Sequence, residues 1–164
     1  MPVTPVTLAK YPAAVFVETG TYYGEGIEAA LAAGFPRVVS IELDAHLVAL
    51  ATAKFAFNPA VQVYQGSSDA MLDVILKKFA VDVTLFLDAH AGGDLTIYNC
   101  PLVKEVRAAL DYSKRFPITI LIDDVRLMEP SLLELLQELL LNGGYRISRE
   151  SSPVAKDDIL VATK

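Results

Sequence analysis

Short apolar runs alternate with stretches of helical spacing along almost the whole chain, and this alternation restricts the fold more than any other feature. Strands are expected at roughly Ala14 to Glu18, Arg37 to Glu42, Val61 to Tyr64, Val81 to Leu87 and Ile118 to Ile122. Helices are expected from about Gly24 to Ala33, Asp44 to Phe55, Ala70 to Phe79, Pro101 to Tyr112 and Ser131 to Leu141. Strands separated by helices pair in parallel through crossover connections, which places the chain in the α/β class. Tyr145 to Arg149 and Ile159 to Thr163, joined by a loop containing Pro153, close the chain as an antiparallel hairpin. Ser68 or Asp69 is the expected N-cap of the third helix, and Pro101 suits a first helical position. With three prolines, residues 1–12 read as an extended lead-in, and 13–164 as one domain without repeats or linkers.

A chain of 164 residues can bury one continuous core. Its net charge of −6, with no basic stripe, argues against a nucleic-acid partner, and none is expected. No apolar run is long enough to span a membrane, so no membrane partner is expected. The N-terminus lacks a basic segment followed by an apolar stretch, and the lone Cys100 suits a reducing compartment, so a cytoplasmic location is expected. The leucine-rich last helix leaves surface for a homodimer beyond what core packing uses.

The order of these elements resembles the sheet of class I S-adenosylmethionine-dependent methyltransferases, over nearly all of the chain beyond Pro12. The resemblance implies a three-layer, Rossmann-like doubly wound sheet of seven strands, mostly parallel, with a C-terminal antiparallel hairpin. In open sheets of this kind a ligand is held beyond the carboxyl ends of the strands.

The first such end is Glu18-Thr19-Gly20-Thr21-Tyr22-Tyr23-Gly24-Glu25-Gly26. Its glycines do not fit the dinucleotide spacing G-x-G-x-x-G, and the carboxylates of Glu18 and Glu25 would repel a pyrophosphate at the helix N-terminus. A ligand with positive groups and no phosphate fits better, and S-adenosylmethionine carries a sulfonium and an ammonium. Glu18 is expected to face its amino-acid end, with Gly20, Thr21, Tyr22 and Gly24 supplying the backbone of the turn. Glu42 closes the second strand about 24 residues beyond Glu18, where one carboxylate can accept from both ribose hydroxyls. Ser67, Ser68 and Asp69, after the third strand, occupy the usual neighbourhood of the adenine ring in this fold. Glu25 has a rival reading as a first-turn residue favoured by the helix dipole, and Glu42 and Asp69 have one as helix caps.

The fourth strand delivers Asp88 and the fifth Asp123 and Asp124, and clustered carboxylates beside an apolar sheet must be neutralised, protonated or solvated. A hard cation such as Mg²⁺ answers that need, and so does Arg126. Here the chain resembles the catechol-type, cation-dependent O-methyltransferases. Their first motif is similar to the stretch from Glu18 to Gly24, their ribose acid falls at Glu42, and their metal ligands fall at Asp88, Asp123 and Asp124, the last in place of an asparagine. The resemblance implies O-methylation of a small molecule, with Asp88 also beside the cofactor. Two departures stand out. The family's lysine base, three residues after the first metal aspartate, is Ala91 here, leaving His90 as the candidate base beside a purely structural reading. The helices that cover the family's active site have no counterpart before the first strand, so a lid is expected from Ala91 to Cys100 or from a second subunit.

The runs Leu87 to Asp94, Asn99 to Leu102 and Leu121 to Leu127 are also similar to a group of uncharacterised methyltransferase-like proteins. Cys100 has no identifiable base beside it and reads as a packed thiol, and His46 as a surface or ribose-side residue. The competing functional class is a nucleoside or S-adenosylmethionine-binding module without chemistry. A hydrolase or oxidoreductase on the same sheet is a third.

Overall fold

The computed structural model describes residues 3–90, 95–98 and 100–164. One helical turn, α1 (Pro5–Leu8), precedes five strands and the helices between them: β1 (Val15–Thr19), α2 (Glu25–Ala32), β2 (Val38–Glu42), α3 (Ala45–Lys54), β3 (Val61–Gln65), α4 (Ser68–Leu76), β4 (Val83–Leu87), α5 (Leu102–Tyr112) and β5 (Ile118–Ile122). A 3₁₀ turn at Val125–Leu127, α6 (Pro130–Asn142), β6 (Arg146–Glu150) and β7 (Ile159–Thr163) complete the chain. The seven strands form one sheet in the order β3-β2-β1-β4-β5-β7-β6. The first five are parallel, and β7 runs antiparallel to both β5 and β6. The expected doubly wound sheet with its closing antiparallel pair is the one found.

Side chains alternate across each strand, as the pleat requires. Val15 and Val17, Val83, Leu85 and Leu87, and Ile118, Ile120 and Ile122 share one buried cluster with Leu72, Val106 and Leu136 of α4, α5 and α6. Phe16, Phe86, Leu121 and Val161 point the other way, into a second cluster with Ile27 and Ala30 of α2. That second cluster also takes Val3 and Leu8, both fully buried. Within the lead-in of residues 1–12 that was expected to be extended, Pro5–Leu8 is therefore a helical turn. Thr4 Oγ1 accepts from the Thr7 amide at 3.1 Å and Pro5 opens the turn, so the strand-breaking prolines become a helix start once Leu8 has a core to enter. No helix among the described residues is long and apolar enough to cross a membrane.

The chain leaves β1, builds outward through β2 and β3, and returns to β4 on the far side of β1. This reversal opens a crevice at the carboxyl ends of β1 and β4, the place where open α/β sheets hold ligands.

Candidate cofactor site

A cavity of about 920 Å³ occupies that crevice, at the upper end of the range for small-molecule pockets. Its wall is built from successive strand ends: Gly20 to Tyr22 after β1, Glu42 after β2, Gly66 to Asp69 after β3, and Asp88 to His90 after β4. Ile97, Tyr98 and Cys100 come from the segment expected as a lid. Ala91 to Asp94 and Asn99, the rest of that segment and the place of the family's lysine, lie outside the described residues.

The turn after β1 is shaped by Gly20 at φ 83°, Tyr22 at φ 47° and Gly24 at φ 80°. A Cβ on Gly20 would run into the Asp88 carbonyl, so β1 and β4 can approach only through glycine. Glu42 fastens this turn: Oε2 accepts from the Thr21 and Tyr22 amides, both at 3.0 Å, and Oε1 accepts from the Asp44 amide at 2.9 Å. The cap of α3 is Asp44, whose Oδ1 accepts from the His46 and Leu47 amides at 2.7 and 3.0 Å, so Glu42 itself faces the cavity. His46 is exposed and lies outside the cavity wall.

Glu18 takes a different place from the one expected. It is 1 % exposed, and the cavity wall does not include it. Its carboxyl sits beneath Gly26 and accepts from Ser40 Oγ at 2.7 Å, and Ser40 Oγ in turn lies 2.5 Å from Thr21 Oγ1. Burial pushes its pKa up to about 8; the Ser40 hydrogen bond opposes this and the Glu42 charge adds to it. Glu25 lines the cavity at the first turn of α2, a position that serves both of its sequence readings.

After β3 the N-cap of α4 is Ser67, not Ser68 or Asp69. Asp69 is turned instead to its neighbours: it accepts from Ser67 Oγ at 2.5 Å and pairs with Lys104 of α5 at 2.7 Å, and these two hold its pKa below the usual value. Pro101 is likewise the N-cap of α5 and not its first residue. Behind this wall Glu105 is fully buried, its carboxyl pushed up to about 7 by burial against the pull of the Ser68 and Thr19 hydroxyls. Neither residue stands out in the sequence, because Lys104 reaches the cavity wall and Glu105 the space behind it from a helix of ordinary amphipathic pattern. Cys100 donates to the Thr96 carbonyl at 3.2 Å and burial raises its pKa, which suits the packed thiol expected.

Further acids gather at the ends of β4 and β5, and of these Asp88 lines the cavity. Burial raises Asp88 to about 9, and the Asp123 and Asp124 charges add to it. Asp123 is 2 % exposed and raised to about 7, chiefly by burial. Asp124 adopts the left-handed conformation at φ 56° and holds Arg126 Nη1 to Oδ1 at 2.6 Å. The same guanidinium reaches Asp158, which also accepts from Ser152 Oγ at 2.9 Å and from the Arg126 amide at 3.1 Å. Asp158 was missed in the sequence, although an antiparallel last strand necessarily starts beside the end of β5. Among the described residues, donor atoms converge in two groups: Asp88 with His90 and Asp124, and Asp123 with Asp124 and Asp158. The three aspartates expected to hold Mg²⁺ do not share a donor set, because Asp123 groups with Asp158 and Asp88 with His90. The residues present do not fit that ion as inferred.

No protein-family model matches the chain, and no curated protein matches it significantly. Solved structures do. The methyltransferase PaMTH1 of Podospora anserina, bound to S-adenosylhomocysteine, superposes with a TM-score of 0.65 at 16 % identity over 98 % of this chain and 76 % of its own. An O-methyltransferase from Bacillus cereus in complex with the same product gives 0.64 at 14 % identity, over 98 % and 78 %. The O-methyltransferase TomG of Streptomyces achromogenes, with S-adenosylmethionine bound, gives 0.64 at 19 % identity, over 97 % and 76 %. Superposition over 97–98 % of this chain at TM-scores of 0.64–0.65 establishes that it has the fold of the class I S-adenosylmethionine-dependent methyltransferases.

Proposed function

We propose that the chain is an S-adenosylmethionine-dependent methyltransferase acting on a hydroxyl of a small molecule. The observation that carries this reading is the use Glu42 makes of the first turn. The two amides that a phosphate-binding turn would offer to its ligand are taken by a carboxylate of the protein. A pyrophosphate would meet Glu42, Asp69 and Asp88 instead of free N–H groups, whereas a nucleoside with a sulfonium meets acceptors. In this reading Glu42 accepts from the ribose hydroxyls and Ser67, Ser68 and Asp69 frame the adenine. Gly20, Thr21, Tyr22 and Gly24 shape the amino-acid end, and Glu18, beneath Gly26, acts on it in the ionised form that it takes up near pH 8. The solved neighbours with S-adenosylmethionine or its product bound support the cofactor.

Methyl transfer is an in-line displacement: an acceptor oxygen lone pair forms the C–O bond while the C–S electrons return to sulfur. No covalent enzyme intermediate is required, so alignment in a water-poor cavity supplies much of the rate. Asp88, at the floor, is assigned to hold the acceptor, and His90, kept neutral by burial, to receive its proton. The carboxylate-rich wall, whose Lys104 is already paired with Asp69, favours a neutral acceptor over an anionic one. Calorimetry with S-adenosylmethionine and S-adenosylhomocysteine tests the reading, and absence of binding to both sinks it. Glu42→Ala is expected to weaken binding roughly 10- to 100-fold, the worth of hydrogen bonds to a charged group.

A second reading rests on Ala91, which stands where catechol-type enzymes carry a lysine base: the chain binds the cofactor without chemistry. Cofactor binding without transfer of a labelled methyl group to a panel of phenols, sugars and carboxylates would select it.

A further inference from the structure

The cavity is backed by a carboxyl that stands in the protein core. The residues of α5 turned inward are Leu102, Glu105, Val106, Ala109 and Tyr112, so Glu105 occupies a place on the apolar stripe. It is fully buried, and neither carboxyl oxygen has a hydrogen-bond partner among the described residues. A carboxyl left so is costly, and a leucine would fill the same space without that cost. Packing therefore gives no reason for a glutamate here.

Its surroundings do. The Ser68 and Thr19 hydroxyls come near enough to hold its pKa down against burial, without yet closing a hydrogen bond. Ser68 opens α4 and lines the cavity, and Thr19 ends β1. Thr19 Oγ1 accepts from the Asp88 amide at 3.3 Å, which leaves its own hydrogen for Glu105. Asp69 of α4 and Cys100, just before α5, are the titratable groups that act on Glu105 or feel its charge. Burial raises Glu105 to about 7, so the protonated form prevails below neutrality. That form can accept from one hydroxyl and donate to the other, whereas leucine can bond neither.

We propose that Glu105 is a positioning residue for the cofactor pocket: its carboxyl takes the hydroxyls of Thr19 and Ser68 as partners and so fixes the end of β1 against the start of α4. The Asp88 amide hangs on the same Thr19 hydroxyl, so the link reaches the end of β4. Its effect on the cofactor rests on the methyl-transfer reading; its hold on the strand ends does not.

The full chain is compared with Glu105→Leu, which keeps the volume and removes the hydrogen bonds, and with Glu105→Gln, which keeps a donor and an acceptor. All measurements are made at about pH 6, where Glu105 is protonated. The urea midpoint of Glu105→Leu is expected at or above that of wild type, because an apolar side chain replaces a buried carboxyl. Its affinity for S-adenosylhomocysteine should nonetheless fall by about 5- to 10-fold, and Glu105→Gln should restore it to within about twofold. Amide hydrogen exchange gives a readout without ligand: in Glu105→Leu the Asp88 amide should exchange several-fold faster, with Leu85 in the middle of β4 unchanged. The proposal is overturned if Asp88 exchange is unchanged in Glu105→Leu, or if wild type binds the product and that variant binds it equally well. A Glu105→Leu chain of lower stability, with both amides exchanging faster together, would show a structural role only and overturn it too. So would a Glu105→Gln chain as impaired as Glu105→Leu. If wild type binds neither S-adenosylmethionine nor its product, the methyl-transfer reading falls, and the exchange measurement alone decides the role of Glu105.

Discussion

Gly26 lies directly over the Glu18 carboxylate, and a Cβ at this position would collide with Oε2. Alanine in the first turns of a helix ordinarily stabilises by about 0.5–1 kcal/mol relative to glycine. Here the collision decides the sign, because Glu18 has no solvent to retreat into. Gly26→Ala is expected to cost about 1–3 kcal/mol in urea denaturation, the usual penalty for overpacking. Adding Glu18→Ala should recover most of that cost, a coupling expected only of residues in contact. A Gly26→Ala variant as stable as wild type would mean that Glu18 does not lie beneath it. This pair also marks the limit of what the residues disclosed on their own. The positions of Glu18 and Glu42 at strand ends and of Asp69 at a helix start could be read, since each stands where an apolar run gives way to a helix. Depth could not be read, since it depends on Gly26 of the next helix and Ser40 of the next strand leaving a space of carboxyl size. His90 and Asp124 were each singled out, but their convergence needs the height at which β4 and β5 stop.

Among the elements, α1 is where local reading failed and tertiary contact prevailed. A four-residue helix has no periodicity to detect, and three prolines in a dozen residues argue for extended chain. The start signal was nonetheless present, since Thr4 followed by Pro5 is a cap followed by a residue suited to the first helical position. What holds the turn is the burial of Leu8 and Val3 in the cluster of Phe16, Ile27 and Phe86, on the face of the sheet that α2 covers. Leu8→Ala should therefore cost about 2–5 kcal/mol in chemical denaturation, as for a leucine in a closed core. Val6, 75 % exposed on the same turn, should tolerate Val6→Ser within about 0.5 kcal/mol. Equal effects of the two would show that α1 does not pack on the sheet. The longer elements were readable because each satisfies two criteria at once. β4 and β5 are apolar runs bounded by turn residues, and the helices beside them carry one apolar stripe. β7 could be placed in a hairpin, but its insertion between β5 and β6, which brings Asp158 to Arg126, follows from sheet pairing and not from any local pattern.

At the scale of the whole molecule, the buried carboxyls set how stability and ligand binding respond to pH. Glu18 is raised to about 8 by burial, with Ser40 opposing and Glu42 adding to it; Glu105 is raised to about 7 by burial, with Ser68 and Thr19 opposing and Asp69 adding. Between the unfolded value near 4.5 and these raised values, the folded chain keeps protons that the unfolded chain has released. Stability must then fall as pH climbs through that window, and Asp88, raised to about 9, extends the decline to that pH. Asp69 and Glu150, held low by Lys104 and Lys10, act in the opposite sense and withdraw their contribution below the ordinary carboxylate range. The ligand-free chain should therefore melt at its highest temperature between about pH 5 and 6 and lose stability toward pH 8.5, with Glu18→Gln flattening the decline. Binding of a cation runs the other way, because the ionised form of Glu18 is the one that attracts it. Affinity for S-adenosylmethionine should rise from pH 6 toward about 8, and more steeply than affinity for S-adenosylhomocysteine, which lacks the sulfonium charge. Melting curves and calorimetry across this range give both slopes on one protein. Parallel pH profiles for the two ligands, unchanged in Glu18→Gln, would show that the buried carboxyl does not act on the sulfonium.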